Sequence, residues 1–156
     1  MMLSESARAT TAAEARFRIQ APNARPRIVA VVPLDDAAHA MLSGLGSERT
    51  IFVTLAEGAA WIAQLSDRTR ALVQAIETAN LIVLVATAGA DASAAAMVAE
   101  AGAARRVMIA GLVVDSAGTD AGALEKSLAA LRPHVGMLVV AEGRDYLGPM
   151  LEALRA

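Results

Sequence analysis

The residues able to do chemistry are few and mostly acidic. Asp35 and Asp36 follow a short β-branched run, Ile28–Val32. Thr87, Gly89, Asp91 and Ser93 follow the apolar stretch Leu81–Val85. Asp115 and Ser116 follow Val107–Val114, and Glu142 with Arg144 follows Met137–Val140. Carboxylates are the ligands that a hard divalent cation prefers, so Asp35, Asp36 and Asp115 form a candidate Mg²⁺ set. The nine residues Asp35, Asp36, Thr87, Gly89, Asp91, Ser93, Asp115, Ser116 and Glu142 are the candidate ligand-binding set. The plainer reading of the Asp pair is a helix N-cap, and of Asp115 a cap or turn residue. None of these residues stands in a catalytic pattern. His39 and His134 lack an acid or Ser partner at readable spacing, and Trp61 on an apolar face reads as core or interface.

Composition excludes several chemistries. The chain has 156 residues and no Cys, so disulfides, zinc thiolate sites, iron–sulfur ligation and a cysteine nucleophile are out of reach. Two His cannot make a histidine-rich metal site within one chain. A net charge of −2 and an aromatic content of 3% argue against nucleic acid, which calls for a basic stripe and stacking platforms. The longest apolar runs, Leu81–Ala90 and Val107–Val114, fall well short of the roughly 20 residues of a membrane helix. The N-terminal stretch carries Glu5, Arg8, Glu14, Arg16 and Arg18 without an apolar core, unlike a secretory signal. These features set the expectation of a cytoplasmic protein that contacts neither nucleic acid nor membrane. Alanine occupies 38 positions and 13 of the 14 basic residues are Arg, a bias that reads first as genome composition.

The elements that position the acids follow from hydrophobic pattern. Residues 1–24, rich in Ala, Ser, Thr and Arg, read as a flexible tail, and 25–156 as one domain. Five apolar segments near 28–32, 50–55, 81–86, 107–114 and 136–141 alternate with helical spacings. Ala38, Met41, Leu42 and Leu45 mark the first helix, with Gly46 as its C-cap. Trp61, Ile62 and Leu65 lie on one helical face, and Ser66 or Asp67 then recaps a helix bearing Leu72, Val73 and Ile76. Ala92–Ala103, then Leu124, Leu128 and Leu131, give two more, and Gly148-Pro149 opens the last. Strands alternating with helices mean a parallel sheet covered on both faces, and the strands read as continuous apolar runs, as doubly buried strands do. The expected fold is a single three-layer α/β domain with about five parallel strands, Rossmann-like or flavodoxin-like. Ile28, Val31, Leu84, Ile109, Val113 and Val139 are its expected core, and Gly111 marks a close approach.

In such sheets ligands bind at the carboxyl ends of the strands, where all nine candidates fall. The specific phosphate motifs are absent. The turn after the first strand is V-V-P-L-D-D, not G-x-G-x-x-G, and neither a Walker A pattern nor a G-x-S-x-G elbow occurs. Response-regulator receivers look similar in carrying carboxylates after their first strand. A receiver needs an aspartate ending its third strand and a lysine ending its fifth, and this chain has neither.

Residues 66–147 resemble the latter part of the nucleotide-binding domain of FtsZ, the bacterial tubulin relative. Ser66-Asp67-Arg68 through Ala71-Leu72 to Ala79-Asn80 is similar to the helix before the FtsZ phosphate-loop strand. Thr87-Ala88-Gly89 matches the T-A-G ending that strand, Val98-Ala99-Glu100 resembles the V-A-E of the next helix, and Leu131 to Val140 the following helix-to-strand passage. The resemblance implies a GTP site, but the loop G-G-G-T-G-T-G between T-A-G and V-A-E is here Ala90-Asp91-Ala92-Ser93-Ala94-Ala95-Ala96-Met97. It is shorter, without glycine, and acidic. The first glycine-rich loop and the second domain with its catalytic loop are also missing. The expectation is therefore no tight GTP binding and no GTPase activity.

Three functions follow, in order. The first is a non-enzymatic α/β domain acting as a protein-interaction or regulatory module, with a protein partner or a homo-oligomer. The second is a small-ligand or nucleotide-binding protein using the carboxyl edge of the sheet. The third is a Mg²⁺-dependent enzyme or receiver-like domain using Asp35, Asp36 and Asp115. No motif requires a cofactor, and Mg²⁺ enters only with the third reading.

Overall fold

A computed structural model of the chain describes residues 26–45, 50–52, 61–115 and 119–155. The expected tail at 1–24, Gly46 and Ser116 lie outside the described residues, as do the side chains of 61–69 and so that of Trp61.

The apolar runs form β1 (Val29–Pro33), β2 (Thr50–Phe52), β3 (Leu81–Thr87), β4 (Met108–Asp115) and β5 (Met137–Glu142). They make one parallel sheet in the order β2-β1-β3-β4-β5. Register runs straight across its middle, with Val31 opposite Val83 and Val83 opposite Ala110. The helices between are α1 (Asp36–Leu42), α2 (Trp61–Thr78), α3 (Ala94–Ala104), α4 (Ala121–Leu131) and α5 (Leu147–Arg155), with single 3₁₀ turns at Arg132–His134 and Arg144–Tyr146.

The layering follows from strand order. From β1 the chain steps outward to β2, then returns past β1 to β3 and continues to β5. Right-handed crossovers taken in opposite directions put their helices on opposite faces. One face of the sheet, with Val32, Leu84 and Val113, packs on Ile76 of α2, Val98 of α3 and Leu131 of α4. The other, with Val31, Val83 and Leu112, packs on Leu42 of α1 and Leu147 and Leu151 of α5. Successive strand residues alternate between two dry clusters, which is why the strands read as unbroken apolar runs. The chain is thus a three-layer α/β domain of Rossmann-like type.

Several expectations need correction. Ser66 and Asp67 do not recap a helix, because α2 runs unbroken over Trp61–Thr78. The first helix ends at Leu42, and the left-handed residue after it is Gly44, φ +87°. Ile28 is 36% exposed, because it precedes β1 and only its backbone is held, its N–H donating to Asn80 Oδ1 at 3.0 Å. Val139 is only half-buried, because β5 is the sheet edge. Val31, Leu84 and Val113 are fully buried and Ile109 is 8% exposed. At Gly111 a Cβ would stand 2.7 Å from Leu138 Cδ1, so the close approach is between neighbouring strands and their packing.

Candidate functional site

The chain reverses its direction of travel across the sheet between β1 and β3, so this is the topological switch point, the usual ligand crevice of a doubly wound sheet. Asp35 leaves β1 in extended backbone, φ −142° and ψ 164°, and caps α1 by accepting from Ala38 N–H at 2.8 Å through Oδ1. The same oxygen accepts from Thr87 Oγ1 at 2.9 Å, and Oδ2 accepts from the Thr87 N–H at 2.8 Å. One carboxylate therefore takes three hydrogen bonds and ties the end of β1 to the end of β3. Leu34 N–H donates to Val85 O at 2.8 Å beside it. Asp36 is exposed in the first turn of α1, where its charge suits the positive end of the helix dipole.

The turn after β3 is engaged amide by amide. Thr87 N–H goes to Asp35, Ala88 N–H to Val114 O at 3.0 Å, and Ala90 N–H to Thr87 O at 3.1 Å. Gly89, at φ +88°, points its N–H at Ser127 Oγ, 2.8 Å away on α4. That φ is the left-handed region a side chain avoids, and it aims the amide inward. Ser127 is 1% exposed and is the buried polar side chain of the core among the described residues. Sequence reasoning missed it. Its signal was a Ser on the apolar stripe of α4, three residues after Leu124 and four before Leu131.

Asp91 and Ser93 satisfy each other on the surface. Asp91 Oδ1 accepts from Ser93 N–H at 2.9 Å, and Oδ2 accepts from Ser93 Oγ at 3.0 Å, an Asx turn leading into α3.

The β4–β5 end differs. Asp115 lies opposite Glu142 in register, and its carbonyl accepts from Gly143 N–H at 2.9 Å. Asp115 is half-buried, and its Oδ1 is buried without a hydrogen-bond partner among the described residues. Glu142 is exposed. Arg144, the one base expected at this edge, reaches instead for the carbonyls ending α1, Met41 O at 3.1 Å and Ser43 O at 3.2 Å, where a cation suits the helix dipole.

The fold thus joins Asp35 to Thr87, Asp91 to Ser93, and sets Asp115 beside Glu142. Among the described residues no three His, Cys, Asp or Glu side chains come together to hold a metal ion, so Asp35, Asp36 and Asp115 do not form one such group. His39 is exposed on α1, and His134 is half-buried in the 3₁₀ turn before β5. No described helix is long and apolar enough to cross a membrane. The chain matches no family model and no curated protein.

Proposed function

We propose that the chain is a non-enzymatic α/β domain that works as a protein-interaction or regulatory module. One observation carries this reading: the four consecutive amides from Thr87 to Ala90, at the edge where this fold binds phosphates and nucleotides, all donate to groups of the chain itself. A phosphate site needs converging N–H groups left pointing outward. Here Asp35 and Ser127 take the two that would be most useful. On the FtsZ resemblance, the T-A-G turn is kept and its phosphate loop replaced by a self-bonded Asx turn. On the likeness to receivers, the phosphoacceptor position at the end of β3 is held by Thr87, whose hydroxyl donates to Asp35. Partner binding in this reading uses surfaces away from the switch point, inside a cell's cytoplasm.

The test is a thermal-shift panel of mononucleotides, dinucleotides and flavins, each with and without Mg²⁺. A ligand specific to the native state raises the melting temperature. The reading expects no shift, and a saturable shift with any of them overturns it.

One observation favours a second reading, a small cation or ligand at the β4–β5 end. Asp115 Oδ1, without a partner among the described residues, is a buried acceptor that a cation would satisfy. A melting temperature raised by Mg²⁺ alone, and not in Asp115→Ala, would support it.

A further inference from the structure

The far edge of the sheet carries features of an interface. β5 presents Met137–Ala141 without a charge, a proline or a bulge, the devices by which edge strands resist pairing. Neither covering helix closes over it. Val140 pairs with Val113 and so lies on the α4 side, and it is 39% exposed. Met137 pairs with Ala110 and so lies on the α5 side, and it too is 39% exposed. Apolar side chains thus reach water on both faces of a strand whose outer edge pairs with no other strand among the described residues.

The charges at its two ends identify the occupant. Arg132 and His134 stand in the 3₁₀ turn two residues ahead of β5. Glu142 and Asp145 stand at its end and just beyond, both exposed. Arg144 does not neutralise them, because its guanidinium is held on the Met41 and Ser43 carbonyls. A strand basic at its start and acidic at its finish complements itself when reversed. We propose that β5 pairs antiparallel with β5 of a second copy of this chain. The two sheets join into one of ten strands, and Arg132 and His134 of each copy face Glu142 and Asp145 of the other. The contact is isologous, and it closes the open edge of both copies at once. This deepens the interaction-module reading above and rests on it.

The chain has no Cys, so a single introduced one reports the seam directly. The full chain is run in analytical ultracentrifugation at micromolar concentrations, and single-Cys variants along β5 are oxidised and run on a non-reducing gel. The expected species is a dimer of twice the 16.0 kDa chain mass. Cross-linking should peak at Leu138→Cys or Val139→Cys, nearest the two-fold axis that the charge pairing sets, and fail at Met108→Cys on β4. Val140→Lys should keep the native circular dichroism of the fold, since the side chain is already exposed in one copy, and weaken the dimer about tenfold or more by burying a charge in an apolar seam. Glu142→Arg or Arg132→Glu alone should weaken it about threefold, and the two together should restore it. A monomeric wild type, a dimer indifferent to Val140→Lys, or a double reversal that does not rescue would each overturn the seam. A monomer that also ignores nucleotides overturns the seam alone, whereas a dimer that binds nucleotides overturns the interaction reading and leaves the seam standing.

Discussion

At the β1–β3 end of the carboxyl edge, Asp35 has both oxygens engaged and holds two strands and a helix together. At the β4–β5 end, Asp115 keeps a buried oxygen without a partner among the described residues, and the neighbouring strand shows Val140 to water. Both aspartates follow buried β-branched strands, and in sequence they look alike. The difference is what each meets. Asp35 meets the hydroxyl and amide of a strand end beside it, while Asp115 lies opposite Glu142 of an edge strand and its Oδ1 has no hydrogen-bond partner among the described residues. At the switch point the amides from Thr87 to Ala90 donate within the chain, and among the described residues the buried acceptor without a partner lies toward the other side of the sheet, at Asp115.

The largest expected effect sets the scale for that contrast. Leu84 is fully buried in the central strand between the two ends. Leu84→Ala should lower the unfolding free energy in urea by about 2–5 kcal/mol. Val140→Ala, at the edge, should change it by less than about 1 kcal/mol. Equal losses would mean that β5 is packed as tightly as β3.

Asp35→Ala should come next, at about 1–3 kcal/mol, since it removes a helix cap and leaves the half-buried Thr87 amide without an acceptor. Asp35→Asn should recover only part of this, because an amide group that still caps Ala38 turns N–H₂ toward the Thr87 N–H. Asp115→Ala should lie within about 0.5 kcal/mol of wild type or be more stable, because it removes an unsatisfied buried oxygen. Comparable losses at the two aspartates would erase the distinction between the two ends.

Ser127→Ala should destabilise by about 1–2 kcal/mol, by orphaning the Gly89 N–H. Hydrogen exchange at Gly89 should quicken in that variant while exchange at Val83 stays slow. The smallest effect is expected at Asp91→Ala, about 0.5 kcal/mol, because its bonds to Ser93 are exposed.

Much of the fold was legible in the sequence because a strand buried on both faces has no polar phase to blur it. β1, β3 and β4 lie within a residue or two of where their apolar runs place them. Strand order was not legible. Met137–Val140 is as apolar as Val29–Val32, yet the first is a half-exposed edge and the second fully buried, and nothing local distinguishes them. Ser66 and Asp67 have the residue types of an N-cap, but the helix continues through them, since polar residues on a helix surface and at a cap are the same residues. At the candidate site, Asp35 as a cap was readable from its place before Ala38. Its bonds to Thr87 were not, because they join residues 52 apart that only the β1–β3 pairing brings together. Ser127 was overlooked for the same reason, since its partner Gly89 lies 38 residues away.

The four amides from Thr87 to Ala90 all donate within the chain and leave none of these donors for a phosphate. Nuclear magnetic resonance of the backbone amides of Thr87, Ala88, Gly89 and Ala90 during titration with GTP, with and without Mg²⁺, reads those donors one by one. Four resonances that do not move at millimolar nucleotide are expected in either condition. A saturating shift of Thr87 and Gly89 in the micromolar range would contradict this.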